Sequence, residues 1–104
     1  MQDISVKTLH DHLSNFNPEK ELIVDVRTFE EYASGHLPGA VHRPLSDILT
    51  HTEEFKEYDT VYVHCKTGGR SSQACEMLEG TLRNVVNVDG GVEAWVAAGY
   101  ELEK

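Results

Sequence analysis

The sequence predicts an α/β domain built on a mainly parallel sheet. Three observations carry that expectation. The runs Leu22–Val26 and Thr60–His64 are almost continuously apolar and rich in β-branched residues, the pattern of strands buried on both faces. Segments with apolar residues at helical spacing alternate with these runs, as they do in a parallel sheet with right-handed crossovers. Turn residues at 35–39 and 89–91 separate the elements. The chain has 104 residues, enough for one domain spanning 1–104 and too few for a second core.

Each element has its own local reason. Ser5–Leu13 reads as a helix, with Ser5 or Thr8 as cap and Val6, Leu9 and Leu13 along one face. The strand Leu22–Val26 follows, then a helical stretch Thr28–Ala33. Gly35-His36-Leu37-Pro38-Gly39 is turn chemistry. Ala40–Arg43 reads as a short strand, Leu45–Leu49 as a short helix, and Thr50–Asp59 as a polar, acidic, solvated connection. Thr60–His64 is a strand that runs straight into Cys65. Ala74, Cys75, Leu78 and Leu82 recur at helical spacing across Ser71–Leu82. Val85–Val88 is a further strand, Asp89–Gly91 a turn, and Val92–Ala98 a last helix stopped by Gly99.

Composition removes several functional classes. The formal net charge is −9, which argues against general nucleic-acid binding through clustered Lys and Arg. No apolar run is long enough to span a membrane. The N-terminus carries neither a basic region nor an apolar stretch, so the cytoplasm is the expected compartment. Two cysteines, Cys65 and Cys75, are too few for a disulfide framework, and no C-x-x-C pair suggests zinc or thioredoxin chemistry. Both are expected as free thiols. The histidines show no metal-ligand spacing, and no metal or cofactor is expected.

The segment Cys65-Lys66-Thr67-Gly68-Gly69-Arg70-Ser71 is the candidate for chemistry. A thiol reacts as its thiolate, and stabilising that anion takes positive charge or oriented N–H groups. Gly68 and Gly69 let the backbone curl so that successive N–H groups face one atom. Ser71 is expected to open a helix, whose N-terminus adds partial positive charge. Lys66 and Arg70 make this a basic loop in an acidic chain. The bland alternative is a strand-to-helix turn around a buried, inert cysteine. Asp25 and Cys65 both fall at strand carboxyl ends, where ligands bind in such sheets.

This loop resembles the active-site loop of the rhodanese-like sulfurtransferases. Asp25-Val26-Arg27 with Glu31, Gly35-His36-Leu37-Pro38-Gly39-Ala40, and Asp89-Gly90-Gly91 with Trp95 and Gly99-Tyr100 resemble that family's other signatures, in the right order. The likeness covers about residues 5 to 102. It implies a rhodanese-like fold, a roughly five-stranded, mainly parallel sheet flanked by helices on both faces. It also implies an anionic sulfane-sulfur donor such as thiosulfate, and a thiol, cyanide or protein-thiol acceptor. Cys65 would be the catalytic nucleophile and carry the sulfur as a persulfide. The N–H groups of Lys66, Thr67, Gly68, Gly69, Arg70 and Ser71 would hold the terminal sulfur, with Lys66 and Arg70 drawing in the donor. The sequence departs from the family at His42, where Asn is common, and at Arg43, where an apolar residue is usual; Arg43 either adds to the anion site or, the favoured reading, is a solvated edge residue.

Two other functions fit parts of the pattern. Cysteine phosphatases and arsenate reductases also cradle an oxyanion over a cysteine, but they have five residues between the cysteine and arginine; here four separate Cys65 from Arg70, a loop better sized for one sulfur atom. A sulfur-carrier or relay role toward a protein partner uses the same residues. Among the remaining candidates, Cys75 reads as a core thiol and Trp95 as core packing. His64 should point away from Cys65 by strand alternation, and His36 should bond the backbone. Asp25 reads as a loop-ordering carboxylate, and Arg27 with Glu31 as an i, i+4 ion pair, worth only a few tenths of a kcal/mol if exposed.

Overall fold

The computed structural model describes residues 2–104. Five parallel strands form one sheet: β1 (Gln2–Ser5), β2 (Glu21–Asp25), β3 (Val41–His42), β4 (Thr60–His64) and β5 (Val85–Asp89). Their order across the sheet is β1-β5-β4-β2-β3. The chain moves from β2 outward to β3, then returns to β4 and moves outward the other way to β5. The direction of winding therefore reverses between β2 and β4. At such a reversal the crossover segments diverge and leave a crevice beyond the strand carboxyl ends. Asp25 and Cys65 sit on the two sides of it.

The helices are α1 (Val6–His12), α2 (Phe29–Ser34), α3 (Thr52–Phe55), α4 (Gly69–Leu78) and α5 (Gly91–Ala97), with 3₁₀ turns at Leu13–Asn15 and Leu45–His51. Strand alternation divides the core in two. Leu22, Val24, Val61, Val63 and Val85 face α4 and α3, packing with Ala74, Cys75, Leu78, Ile48 and Phe55. Ile23, Tyr62, Val86 and Val88 face the other way, against Val6, Leu9, Leu37, Ala40 and Trp95. Trp95 is fully buried, and its indole N–H donates to Glu101 O at 2.8 Å, so its polar edge is satisfied.

The sequence expectations hold for most elements and fail at five places. β1 lies where the sequence suggests a helix cap alone. It is an exposed edge strand, and its residues Gln2-Asp3-Ile4-Ser5 carry little β signal; its register comes from pairing with β5. The α4 helix starts at Gly69, two residues earlier than Ser71, because Gly68 takes φ 111° and caps it. It ends at Leu78, not Leu82, and Gly80 turns the chain back at φ 82°. The acidic stretch after Thr50 is no solvated connection: it forms α3 and buries Phe55 completely. Arg43 is no solvated edge residue either. Its guanidinium pairs with Glu54 through two bonds of 2.9 and 2.8 Å. That pair anchors α3 beside β3 and holds the Glu54 carboxyl below its usual range.

Candidate active site

Cys65 follows β4 at the centre of the sheet and is almost wholly buried. Its Sγ receives the Gly68 N–H at 3.1 Å and lies 3.4 Å from Ser71 Oγ. Burial alone would push this thiol up. The hydroxyl of Ser71 and the backbone N–H groups of Ser71, Gly68 and Thr67 outweigh it and hold the thiol below its ordinary value. Of the six residues expected to line the anion, Thr67, Gly68 and Ser71 bring donors to the sulfur. Lys66 is exposed.

The loop is held in this shape from behind. The N–H groups of Val92 and Glu93 donate to the carbonyls of Cys65 and Lys66, each at 3.0 Å. Those carbonyls thus point at the start of α5, which leaves the opposite edge of the loop, with its N–H groups, to face the sulfur. Contact this close requires Gly91. A Cβ there would collide with the carbonyl oxygens of Cys65 and Lys66, so the second glycine of Asp89-Gly90-Gly91 is a steric condition for the loop. The only sequence signal for that role is a glycine pair after a buried strand.

Arg70 turns across the crevice to Glu31 of α2, with Nη1–Oε1 at 2.8 Å and Nη2–Oε2 at 3.0 Å. This corrects the expected Arg27–Glu31 pair. The Arg70 bonds, partly opposed by burial and reinforced by Thr28, pull the Glu31 carboxyl down to about 2. Glu31 also closes a capping box with Thr28. A cleft of about 190 Å³ opens beside Arg70, walled by Val26, Arg27, Thr28, Pro44, Leu45 and Ser46.

Arg27 is not exposed. It is buried against Asp25, with Nη2–Oδ2 at 2.7 Å and Nε within 3.0 Å of both carboxylate oxygens, and it donates to Gly35 O at 2.6 Å. Asp25 also accepts the Arg27 backbone N–H at 2.9 Å. The expectation of a loop-ordering carboxylate holds. His36 bonds the backbone as expected, with Nδ1 3.1 Å from Tyr32 O, and His42 Nε2 lies 2.7 Å from Arg27 O. These contacts tie the carboxyl end of β2 to the turn that precedes β3.

His64 points away from Cys65 onto the opposite sheet face, as alternation requires. It is fully buried, and neither ring nitrogen has a hydrogen-bond partner among the described residues. Its Nε2 lies 3.7 Å from Asp25 Oδ2, outside hydrogen-bond range. Burial pulls this imidazole down to about 4, with the repulsion of Arg27 and His36, against the attraction of Asp25 and a weak backbone contact at Cys65 that falls short of a well-formed hydrogen bond. The folded protein therefore binds fewer protons than the unfolded chain between about pH 4 and 6.5, and stability falls as pH drops through that window. From the printed values, 6.5 and about 4, the loss is on the order of 3 kcal/mol. The urea midpoint should decline from pH 6.5 to 5, before most carboxylates protonate. His64→Leu should flatten that decline; an equally steep slope in the variant would assign it elsewhere.

A parallel α/β sheet with a buried thiol at its central strand end, wrapped by a glycine-bearing loop of N–H donors, defines a class of α/β thiol domains. The chain belongs to the rhodanese-like domain family, whose pattern matches residues 5–98. It is similar to a protein named Sulfurtransferase from Allochromatium vinosum, 32% identical over 103 residues, covering 98% of this chain and 94% of that one. A crystal structure from Staphylococcus saprophyticus is 39% identical, superposes with a TM-score of 0.85 and is matched over 100% of both chains. The rhodanese-like domain protein of Staphylococcus aureus is 38% identical, with a TM-score of 0.84, over 99% of this chain and 97% of that one. The chain is also 39% identical to YrkF of Bacillus subtilis over 74 residues, and that match spans 40% of YrkF. Among the described residues, no helix is long and apolar enough to cross a membrane.

Proposed function

We propose that this protein is a sulfurtransferase that moves sulfane sulfur from thiosulfate or a similar anionic donor to a thiophilic acceptor through a persulfide on Cys65. The observation that carries this reading is the Cys65 sulfur among converging donors of Thr67, Gly68 and Ser71, with the Gly68 N–H at 3.1 Å. The Cys65 thiolate attacks the outer sulfur of the donor. A new S–S bond forms, the donor's own S–S bond breaks, and sulfite leaves with the bonding electrons. An acceptor thiol or cyanide then attacks the outer sulfur of the persulfide, and Cys65 leaves as the thiolate. This is a double displacement, covalent catalysis split into two steps. The N–H groups of Thr67, Gly68 and Ser71 stabilise the negative charge in both the thiolate and the persulfide. Lys66 attracts the dianionic donor from the rim, and Arg70 lines the approach. The family membership and the likeness to a named sulfurtransferase support the reading. Both cysteines are unpaired thiols, which suits a cytoplasmic setting.

Intact mass spectrometry after thiosulfate treatment tests the proposal. The expected result is a gain of one sulfur atom, located on Cys65 and removed by cyanide. A mass that does not change with thiosulfate or with a persulfide donor would sink it. Steady hydrolysis of an aryl phosphate that depends on Cys65 would favour phosphatase chemistry instead.

Arg70→Ala should raise the KM for thiosulfate roughly tenfold, while the thermal midpoint moves little. The Arg70–Glu31 pair is partly exposed, with side chains 38% and 29% accessible, and such pairs add little to stability. A large drop in the melting temperature with an unchanged KM would reverse this assignment.

A further inference from the structure

The Cys65 thiol is the inner end of a hydrogen-bond chain that runs outward to the edge of the sheet. Ser71 Oγ stands 3.4 Å from Cys65 Sγ and 2.5 Å from Asn87 Oδ1. Asn87 Nδ2 in turn donates to Asp3 Oδ1 at 3.1 Å. Asn87 is buried in the middle of β5, and Asp3 faces it from the exposed β1 in direct register. A polar side chain buried in a strand interior needs a reason, because burial without partners is costly. Here both ends of the amide are satisfied, and the order of donors along the chain is fixed by chemistry.

A carboxylate only accepts hydrogen bonds. Asp3 therefore holds the NH₂ end of Asn87 toward itself and turns the amide oxygen toward Ser71. That oxygen can only accept. The Ser71 hydroxyl has one proton, and three acceptors surround it: Asn87 Oδ1 at 2.5 Å, Gly68 O at 3.2 Å and the Cys65 sulfur at 3.4 Å. With its proton committed to Asn87, Ser71 presents lone pairs to Cys65 and accepts the S–H of the neutral thiol. When the sulfur is an anion, the same proton is wanted by sulfur instead.

We propose that Asn87, oriented by Asp3, is a positioning residue that competes with the Cys65 sulfur for the Ser71 proton and so sets the proton affinity of the thiol. Asn87 restrains the thiolate in the resting protein and restores the hydroxyl to its resting orientation once the sulfur has lost its charge. The inference concerns the thiol and its proton. It uses Cys65 as the reacting group of the proposed function but does not depend on which donor supplies sulfur.

The pH dependence of Cys65 alkylation by iodoacetamide, read by mass spectrometry of the modified peptide, tests this directly. Asn87→Leu removes the competing acceptor at nearly constant volume. It should lower the apparent pKa of Cys65 by about one unit, raising the alkylation rate at neutral pH about tenfold, the effect of one hydrogen bond to a charged group. Asn87→Asp places a stronger acceptor there and should move the pKa the opposite way. General loosening of the site would shift both variants in the same direction, and that result overturns the proposal. The exposed Asp3 gives a second comparison should the buried variants fail to fold. Asp3→Ala releases the amide, whereas Asp3→Asn keeps an acceptor that can hold it. Both remove the same charge, so a lower pKa in Asp3→Ala than in Asp3→Asn supports the orientation argument, and equal values overturn it. Failure to load sulfur from thiosulfate with these pKa shifts intact would count against the proposed function alone.

Discussion

Cys65→Ala should abolish sulfur loading and turnover, while Cys75→Ala should keep both. The two thiols sit ten residues apart and are both buried, so exposure does not separate them. Their surroundings do. Cys65 lies at a strand end where Ser71, Gly68 and Thr67 offset the cost of burial and hold the thiol down. Cys75 lies on the inner face of α4 among Val63, Ala74 and Leu78. Burial, with a contribution from Asp3, pushes it up to about 12. At neutral pH its thiolate is scarce. Iodoacetamide should therefore modify Cys65 far ahead of Cys75 in the native protein. Cys75→Ala should cost on the order of 1–2 kcal/mol through the small cavity it leaves, visible in a urea titration. Comparable loss of turnover in both single variants would remove the distinction drawn here.

Much of this site was legible in the sequence, because the needs of the thiolate are local. A β-branched run ending in Cys65, two glycines, two basic residues and a helix start are contiguous in the chain, and local geometry translates them into a strand, a nest of N–H groups and a helix N-terminus. The parts that were not legible are those in which chain neighbours are not the partners. Arg27 and Glu31 are spaced as an i, i+4 pair, but Arg27 precedes the capping residue Thr28 and lies outside α2. Its side chain turns back to Asp25, and Glu31 is left to meet Arg70 from 39 residues away. Arg43 and Asn87 carry no local signal for the same reason, since Glu54 and Ser71 reach them only through the fold. β1 is the strongest case. Nothing in Gln2–Ser5 demands a strand, and the edge of the sheet supplies the missing hydrogen bonds.

The buried Asp25–Arg27 pair should show the largest effect on stability. Both side chains are almost fully enclosed, at 0% and 5% accessibility, so little solvent is available to take over when one is removed. Arg27→Met would strand a carboxylate beside fully buried His64 and leave Gly35 O without its donor. Breaking one half of such a pair costs about 3–5 kcal/mol, which for a domain of this size lowers the thermal midpoint on the order of 15–30 °C. The variant should also acquire a new pH dependence. Arg27 is one of the charges that keep His64 neutral. Without it, the imidazole 3.7 Å from Asp25 becomes the nearest cation source, and its proton affinity rises. Arg27→Met should then regain stability as pH falls toward 5.5, where the parent protein loses it. Adding Asp25→Asn to Arg27→Met should recover part of the loss at neutral pH, because a neutral amide replaces the stranded charge. An Arg27→Met protein that melts within a few degrees of the parent at pH 7, or whose stability declines with acid as the parent's does, would remove the structural role assigned here to the Asp25–Arg27 pair.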